Sequence, residues 1–462
     1  MLPYKLTTSN FVRTLRRPWK VFQAMIANVA FGFPSRKLLI VGITGTTGKT
    51  TSIHLTGKAL ESAGYTVGLI SSIKVQIGTK IEKNESGLTS LGPWQLQKLL
   101  SRMVSAGCHY AVIEVSSHAL DQFRFWGVDF DVAAITNLSR DHLDYHHTVE
   151  DYAMAKRRLF QAVANRREKR LKNGEYVPRV LIASLDDPKT VGFLNEDADF
   201  RYGMSLLDSR IPTPPRTEPV LLYAIRVLPD RTTAMVLARG HNCLLYLKLA
   251  GAFNVRNALL AVAVGVSQNI PVERISRELY SVESIPGRFE KVALGQSFQV
   301  IIDYAVTESA LQALYSAITT IRARRVFAIF GACGNRDRGK RAGMAKIVAK
   351  HADVTFLTNE DPFSEDPEQI FYELEKGLLE GGAVRVDVNK LNNIAPGQHV
   401  YVKIVDRREA IATAVKAAQV GDCIVATGKG SEEVMHLGDK NIPWNERQIF
   451  EEEIRKVLNV SK

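Results

Sequence analysis

Val41-Gly42-Ile43-Thr44-Gly45-Thr46-Thr47-Gly48-Lys49-Thr50-Thr51 decides the fold. The apolar run Leu38 to Val41 reads as a buried strand, Gly42 to Gly48 as a loop, and Thr50 to Ala63 as a helix. A strand that feeds a helix through a Gly-rich turn binds phosphate, because the turn and the helix N-terminus aim backbone N–H groups at phosphate oxygens. Gly45, Thr46, Thr47, Gly48, Lys49 and Thr50 are therefore candidate ATP ligands, with Lys49 neutralising the β and γ groups and the Thr50 hydroxyl on Mg²⁺. The longer P-loop pattern has Gly where Ile43 stands, so the match is to the shorter GxxGKT form. A Gly-rich turn without a nucleotide is the bland alternative, and the Lys-Thr pair at the strand–helix junction argues against it.

Working outward, Tyr65 to Ile70, Ala111 to Val115, Val132 to Ile135 and Val180 to Ala183 are further short apolar runs separated by helical segments, the pattern of a parallel sheet covered on both faces. Between Leu221 and Leu249 the texture alternates around Pro229-Asp230, which predicts an antiparallel annex, and a helix follows from Asn254 to Gln268. A second α/β series begins at Gly287, with strands near Gln299 to Ile302, Val326 to Phe330, Val354 to Leu357, Tyr401 to Ile404 and Cys423 to Ala426, and a helix over Glu308 to Ala323. The expected class is α/β: a central P-loop ATPase domain, mostly parallel with an antiparallel annex, and a C-terminal Rossmann-like domain. The expected division is 1–36 as a basic, apolar helical segment, 37–287 as the ATP-binding domain, and 288–462 as the C-terminal domain.

At 462 residues the chain supports two or three cores, and 45% hydrophobic with 23% charged residues excludes collagen-like, coiled-coil and wholly disordered classes. Its net charge of +12 favours polyanionic partners. Arg167 to Lys172, REKRLK, reads as a solvated turn or helix end and not a nucleic-acid patch, since no aromatic residues interleave it, and no nucleic-acid partner is expected. Cys108, Cys243, Cys333 and Cys423 are dispersed and form no CxxC pair, which points to a reducing cytoplasm. At the N-terminus Arg13, Arg16 and Arg17 precede an apolar stretch from Trp19 to Phe33 that is too interrupted to span a bilayer. Packing against the first domain is its preferred reading, and a peripheral membrane contact the other.

A magnesium nucleotide site needs a carboxylate at a neighbouring strand end, and AVIEVSSHAL supplies Glu114. Downstream, Asp141, His142 and Asp144 follow another strand, at spacings that match no closed zinc set.

The succession ITGTTGKTT, IEVSSHALDQFR, ITNLSRDHLDYH, AMAKRRLF, GAFNVRNALLA, IPGRFE, DYAVTESAL, FGACGNRDRGKR and ATGKGSE resembles the Mur ligases, of the MurE type, from about Lys37 to the C-terminus. The resemblance implies an ATP- and Mg²⁺-dependent carboxylate–amine ligase that adds the third residue to the peptidoglycan stem peptide, its partners an anionic muramoyl peptide and an amino acid, acting as a monomer. Lys49, Glu114, His142 and Lys156 are then the catalytic set. Thr50, Glu114, His142 and Lys156 are the metal ligands, Lys156 as a carbamate. From its own surroundings in sequence Lys156 reads as a surface lysine, so this role rests on the resemblance. Asn254 and Asn257 look like adenine contacts, Arg288 a phosphate or interdomain contact, and Asp303 a ribose contact. Ser116, Gln122 and Arg124 fall where the family binds the muramoyl peptide, and Asp361, Phe363, Gly428 and Glu432 where it binds the amino acid.

Three departures stand out. Only 43 residues precede Thr44, where the family has a UDP-binding domain, so that domain is missing or reduced to a helix and the carrier is either UDP-linked in another way or lipid-linked. The family's His in DYAHTPDAL is Val306. The diaminopimelate signature DNPR reads Glu360-Asp361-Pro362-Phe363, and Phe makes no bidentate carboxylate contact, so any clamp on a distal carboxylate falls to Arg336 or Arg341. A folylpolyglutamate-synthetase-like ligase is the nearest competitor. From other classes, a catalytically silent P-loop scaffold and a nucleic-acid motor are the alternatives, the motor lacking its motifs and stacking aromatics.

Overall fold

The computed structural model describes residues 10–84, 86–171, 173–206, 214–228, 231–394 and 397–460. They form two compact units, each with its own core. The first comprises the chain up to Arg226 with Thr232–Lys248 and Phe253–Val282, and the second comprises Val227–Arg231, Leu249–Ala252 and the chain from Glu283.

The first unit is built on an eleven-stranded sheet. Its strands are β1 (Leu39–Thr44), β2 (Val67–Ile70), β3 (Lys74–Ile77), β4 (Lys80–Lys83), β5 (Tyr110–Glu114), β6 (Val132–Ile135), β7 (Val180–Ser184), β8 (Phe200–Leu206), β9 (Thr217–Val227), β10 (Thr232–Ala238) and β11 (His241–Leu247). In space they run β11-β10-β9-β8-β7-β6-β1-β5-β2-β3-β4. From β2 to β9 the pairs are parallel, and β1 lies between β5 and β6. The helices are α1 (Asn10–Ala30), α2 (Lys49–Glu61), α3 (Pro93–Ser105), α4 (Ser117–Asp121), α5 (Leu143–His146), α6 (Val149–Ala164), α7 (Pro188–Val191), α8 (Ala252–Ser267) and α9 (Val272–Leu279). Ile40, Ala111, Ile113, Ala133, Leu159, Phe160 and Leu181 are all buried in one cluster, which is why the inner strands read as continuous apolar runs.

Both edges differ from a purely parallel reading. The expected annex is an edge of the same sheet: β10 pairs antiparallel with β11, while β9 pairs parallel with β8. Pro229 and Asp230, the expected turn, lie outside the described residues. At the opposite edge β3 and β4 form an antiparallel hairpin through Gly78 and Thr79, whose Lys- and Glu-bearing strands carry too little apolar pattern to read as strands in sequence. The REKRLK segment is not simply a solvated turn. Lys169 is buried, and its Nζ donates to Asp131 Oδ2 at 2.6 Å, Ser35 O at 2.9 Å and Leu38 O at 2.6 Å. Arg166 Nε lies 3.3 Å from Asp131 Oδ1, and Asp131 Oδ2 also accepts from Ile40 N at 2.7 Å. The run contributes an anchor for the start of β1; Lys172 falls outside the described residues.

The N-terminal helix packs through small residues. Ala24, Ala27 and Asn28 of α1 are buried, Asn28 Nδ2 donates to Trp126 O at 2.8 Å, and the helix lies against α3. The side chains of residues 10–17 are outside the description, and no described helix is long and apolar enough to cross a membrane.

The second unit holds a seven-stranded sheet of β12 (Glu290–Lys291), β13 (Gln299–Asp303), β14 (Val326–Phe330), β15 (Val354–Leu357), β16 (Val384–Arg385), β17 (Val400–Lys403) and β18 (Cys423–Thr427), in the order β12-β13-β18-β14-β15-β17-β16. Only β12 is antiparallel to its neighbour. Its helices are α10 (Glu308–Ile318), α11 (Arg341–His351), α12 (Pro367–Glu380), α13 (Arg407–Ala417) and α14 (Glu446–Val460), and β19 (Val434–Leu437) with β20 (Lys440–Pro443) forms a separate hairpin. The helix expected to reach Ala323 stops at Ile318: the β-branched Thr319-Thr320-Ile321 turn is 3₁₀, and Arg322 is left-handed.

Asp131→Ala removes the carboxylate between two buried cations, so the first unit is expected to lose about 3–5 kcal/mol of stability. The check is the urea midpoint of its unfolding. An unchanged midpoint shows that Lys169 and Arg166 reach water without Asp131.

Candidate functional site

The C-terminal ends of parallel strands are where an α/β sheet gathers ligands, and here β5, β1 and β6 end side by side. The β1 loop is fixed by its neighbour. Thr46 N donates to Asn137 O at 3.0 Å and Thr47 N to Asn137 Oδ1 at 3.1 Å, while Thr136 Oγ1 donates to Thr47 O at 2.7 Å. Two glycines make that approach geometrically feasible. Gly45 has φ 145° and a Cβ there would lie 1.8 Å from Thr136 Oγ1; Gly48 has φ 80° and its Cβ would lie 2.2 Å from Asn257 Oδ1. Immediately after Gly48, α2 points its unsatisfied N–H groups out of the loop.

Lys49, Thr50 and Lys156 lie on or against this loop, Glu114 is held to Thr50, and His142 lies next to Asp141 and Tyr152. Lys49 Nζ donates to Gly45 O at 3.0 Å and Thr46 O at 2.9 Å. Thr50 Oγ1 is 3.2 Å from both oxygens of Glu114, whose Oε2 also accepts from Ser72 N at 2.8 Å. Lys156, far from being a surface lysine, is 1% exposed on α6, and its Nζ donates to Gly45 O at 2.7 Å. It also lies 4.3 Å above the Tyr152 ring. Burial first and the Lys49 charge second hold its ammonium well below the ordinary lysine range, with Asp141 acting in the opposite sense. His142 precedes α5 in a left-handed conformation, φ 55°; its Nε2 is 3.4 Å from Asp141 Oδ2, and its ring packs edge-on against Tyr152 and His118. Among the described residues, no three His, Cys, Asp or Glu side chains converge as a ready metal group.

Asn254 and Asn257 sit behind the loop on α8, with Asn257 Nδ2 donating to Asn254 Oδ1 at 3.3 Å and Ser52 Oγ donating to Asn257 Oδ1 at 3.5 Å. Ser116, Gln122 and Arg124 come together on and just after α4. Ser116 caps that helix, Arg124 grips Gln122 Oε1 through Nε at 3.1 Å and Nη2 at 2.8 Å, and Arg124 Nη1 donates to Ser90 O at 2.9 Å. Ser90 itself bridges β5 to this group, donating to Glu114 O and accepting from Ser116 N, both at 2.9 Å.

In the second unit Phe289 N donates to Asp303 Oδ2 at 2.7 Å, and burial pushes the Asp303 carboxyl up to about 6 against the pull of Arg288. The Arg288 guanidinium lies 4.5 Å over the Tyr304 ring, whose hydroxyl donates to Glu432 Oε1 at 3.0 Å. Lys429 organises the rest: fully buried, its Nζ donates to Asp361 Oδ2 at 2.7 Å, Glu432 Oε2 at 2.8 Å and Val434 O at 2.8 Å. Gly428, φ 101°, lets its backbone close on Glu360, which accepts from Cys333 Sγ at 2.8 Å. Phe363 is left-handed at φ 51°, and its ring stacks on His436 at 4.7 Å. Arg341 is spent elsewhere. It is buried and bonded to Glu365, Glu373 and Cys333 O, so it is not the alternative carboxylate clamp.

Sequence reasoning missed Asn137, Ser72, Ser90, Tyr152 and Lys429. Asn137 and Lys429 lie inside motifs it singled out, and a lysine between two glycines was a readable signal. Ser72, Ser90 and Tyr152 carry none, because their roles come from strands and helices distant in sequence.

A Gly-rich loop with its Lys and Thr at the head of a helix, beside a buried glutamate on the neighbouring strand, marks the first unit as a P-loop nucleotide-binding domain. Residues 43–265 match the Mur ligase middle domain and residues 287–430 the Mur ligase glutamate ligase domain, and the chain belongs to the Mur ligase family. Similar proteins include the UDP-N-acetylmuramoyl-L-alanyl-D-glutamate–2,6-diaminopimelate ligase of Geobacillus thermodenitrificans, 34% identical over 92% of this chain and 81% of that protein. A namesake from Clostridium acetobutylicum is 36% identical over 95% and 82%. A solved structure of a diaminopimelate ligase of that name superposes with a TM-score of 0.60 at 27% identity, covering 96% of this chain and 83% of the other. Folylpolyglutamate synthase of Mycobacterium tuberculosis reaches a TM-score of 0.66 over 88% and 91%, but at 17% identity it shares the fold alone.

Lys49→Ala withdraws the ammonium aimed at the phosphate loop without touching a core side chain. ATP turnover, measured by phosphate release, is expected to fall by about 10²–10³-fold or more in a folded protein. Near-normal turnover overturns the loop's assignment.

Proposed function

We propose that the chain joins an amino acid to the free carboxylate of a muramoyl dipeptide, with ATP activating that carboxylate as an acyl phosphate. The observation that carries this reading is the convergence of Lys49, Lys156 and the Thr50–Glu114 pair on the β1 loop, in a chain about a third identical to diaminopimelate ligases over nearly its whole length. In the first step the substrate carboxylate attacks the γ-phosphorus and ADP leaves. In the second the amine attacks the acyl carbon, phosphate leaves, and the ammonium proton goes to solvent or phosphate. The first step builds negative charge on the transferring phosphoryl group and departing ADP, and the second on the acyl oxygen and then on the departing phosphate; Lys49 and the α2 N-terminus are placed to meet the phosphate charge.

The residues present fit a magnesium ion. Glu114 is buried, and the groups that reach it, the Thr50 hydroxyl and the Ser72 N–H, are neutral, so its charge is matched to a cation. Magnesium held by Thr50 and Glu114 supplies Lewis-acid polarisation of the phosphoryl group. His142 and Lys156 are assigned to a second ion, Lys156 after carbamylation, in which its neutral amine forms an N–C bond to CO₂ and releases a proton. Burial beside Lys49 supports this, because it favours the neutral amine that CO₂ requires.

The remaining assignments are adenine to Asn254 and Asn257, phosphate to Arg288, ribose to Asp303, and muramoyl peptide to Ser116, Gln122 and Arg124. The incoming amino acid falls to Asp361, Phe363, Gly428 and Glu432. We assign a monomeric enzyme of the cytoplasm, and leave the carrier of the muramoyl peptide to be read from a panel of UDP-linked and lipid-linked substrates scored by phosphate release and product mass. Failure of every muramoyl carrier in that panel sinks the reading.

Lys156→Ala is expected to be inactive and partly rescued by short carboxylic acids such as formate or acetate, measured as phosphate release. Full activity without rescue removes Lys156 from the metal site. At the amine pocket, Phe363 presents a ring face to His436 where diaminopimelate enzymes carry Arg, and both terminal nitrogens of Arg341 are bonded to Glu365, Glu373 and Cys333 O, which leaves Arg336 as the other basic candidate. Lysine or another amine without a distal carboxylate is therefore expected to be used with higher kcat/KM than meso-diaminopimelate, and Phe363→Arg to shift the ratio toward diaminopimelate. Preference of the unaltered protein for diaminopimelate would falsify this reading of Phe363.

A further inference from the structure

The helix α1 carries its apolar side outward. Ala24, Ala27 and Asn28 face the first unit, whereas Trp19, Phe22, Met25, Ile26 and Val29, at helical spacing on the opposite side, are exposed, Trp19 by 60% and Val29 by 61%. Ordinary surface helices do the reverse. The same sequence spacing runs back through Leu15 and Phe11. Tryptophan is concentrated here as well: of four in the chain, Trp19, Trp94 and Trp126 are exposed, and the fourth, Trp444, is buried. Trp94 meets Phe31 edge-on at 5.9 Å, and Trp126 O accepts from Asn28 of α1, so all three lie on the helix or directly beside it.

Charge selects the occupant. No Asp or Glu occurs before Glu61, while Arg13, Arg16, Arg17 and Lys20 all fall within the sequence of α1. A helix that exposes tryptophan and large aliphatics, in a segment whose sequence carries only positive charge, and too interrupted to span, is built to lie in the plane of an anionic bilayer. A second copy of the chain is disfavoured, since pairing these helices sets two wholly cationic segments together.

We infer that α1 docks the protein on an anionic membrane surface, with Trp19, Phe22, Met25, Ile26 and Val29 inserted at the headgroup–acyl boundary. The inference is independent of the ligase reading, because none of these residues touches the β1 loop or its partners.

The test is flotation of the full chain with vesicles of equal parts phosphatidylglycerol and phosphatidylcholine, against phosphatidylcholine alone. Binding is expected only to the anionic vesicles, with tryptophan fluorescence quenched by brominated acyl chains. Phe22→Asp/Val29→Asp is expected to lower the bound fraction by about tenfold or more, and Arg16→Glu/Arg17→Glu to lower it likewise, both with unchanged thermal midpoint and ATP turnover. Absence of flotation, equal binding to neutral vesicles, or indifference to Phe22→Asp/Val29→Asp overturns the inference. So does a dimer in solution that this pair of substitutions splits into monomers.

Discussion

Two amines converge on one carbonyl oxygen, and much of the first unit is arranged around that fact. Gly45 O accepts from Lys49 at 3.0 Å and from Lys156 at 2.7 Å, at the end of a buried strand. Two full ammonium charges at that separation repel, and burial removes the water that would screen them. The conflict is relieved at Lys156, whose basicity drops through burial first and the neighbouring Lys49 second. The loop's glycines, the Thr136–Asn137 clasp and the packing of α6 together hold both lysines in place.

The second unit uses the opposite arrangement: one buried cation serves several acids. Lys429 ties Asp361 of the segment after β15 to Glu432 of the segment after β18, so the two stretches proposed to meet the amino acid move as one piece. Glu360 is buried beside them with its carboxyl raised by desolvation. A left-handed Phe363 in this setting is held by its backbone contact to His436 and by ring stacking, a non-Gly conformation of the kind found where geometry is imposed by a site.

What was legible in sequence follows from where the information resides. The β1 loop could be read because Gly, Lys and Thr at fixed offsets impose their geometry locally, and the inner strands because burial on both faces leaves uninterrupted apolar runs. The β3–β4 hairpin could not, since an edge strand with lysine and glutamate looks like a loop. Lys156 and Lys169 look alike in sequence, each in a basic run; one turns out to reach the phosphate loop and the other an internal aspartate. Only the long-range packing of α6 and the approach of Asp131 decide that, and neither leaves a local pattern. The antiparallel annex was recognised by its alternation, yet its attachment as one end of the main sheet depends on the parallel pairing of β9 with β8.

All four cysteines are unpaired with thiols shifted to higher pKa, Cys423 to about 12, chiefly through burial. Desolvation thus makes each native thiol less ready to form the nucleophilic thiolate than an ordinary solvated cysteine. A cysteine engineered onto an exposed, solvated position would therefore outpace buried Cys108 and Cys423 for maleimide or nitroxide reagents, so single-point labelling of the protein calls for replacing only the half-buried Cys243 and Cys333.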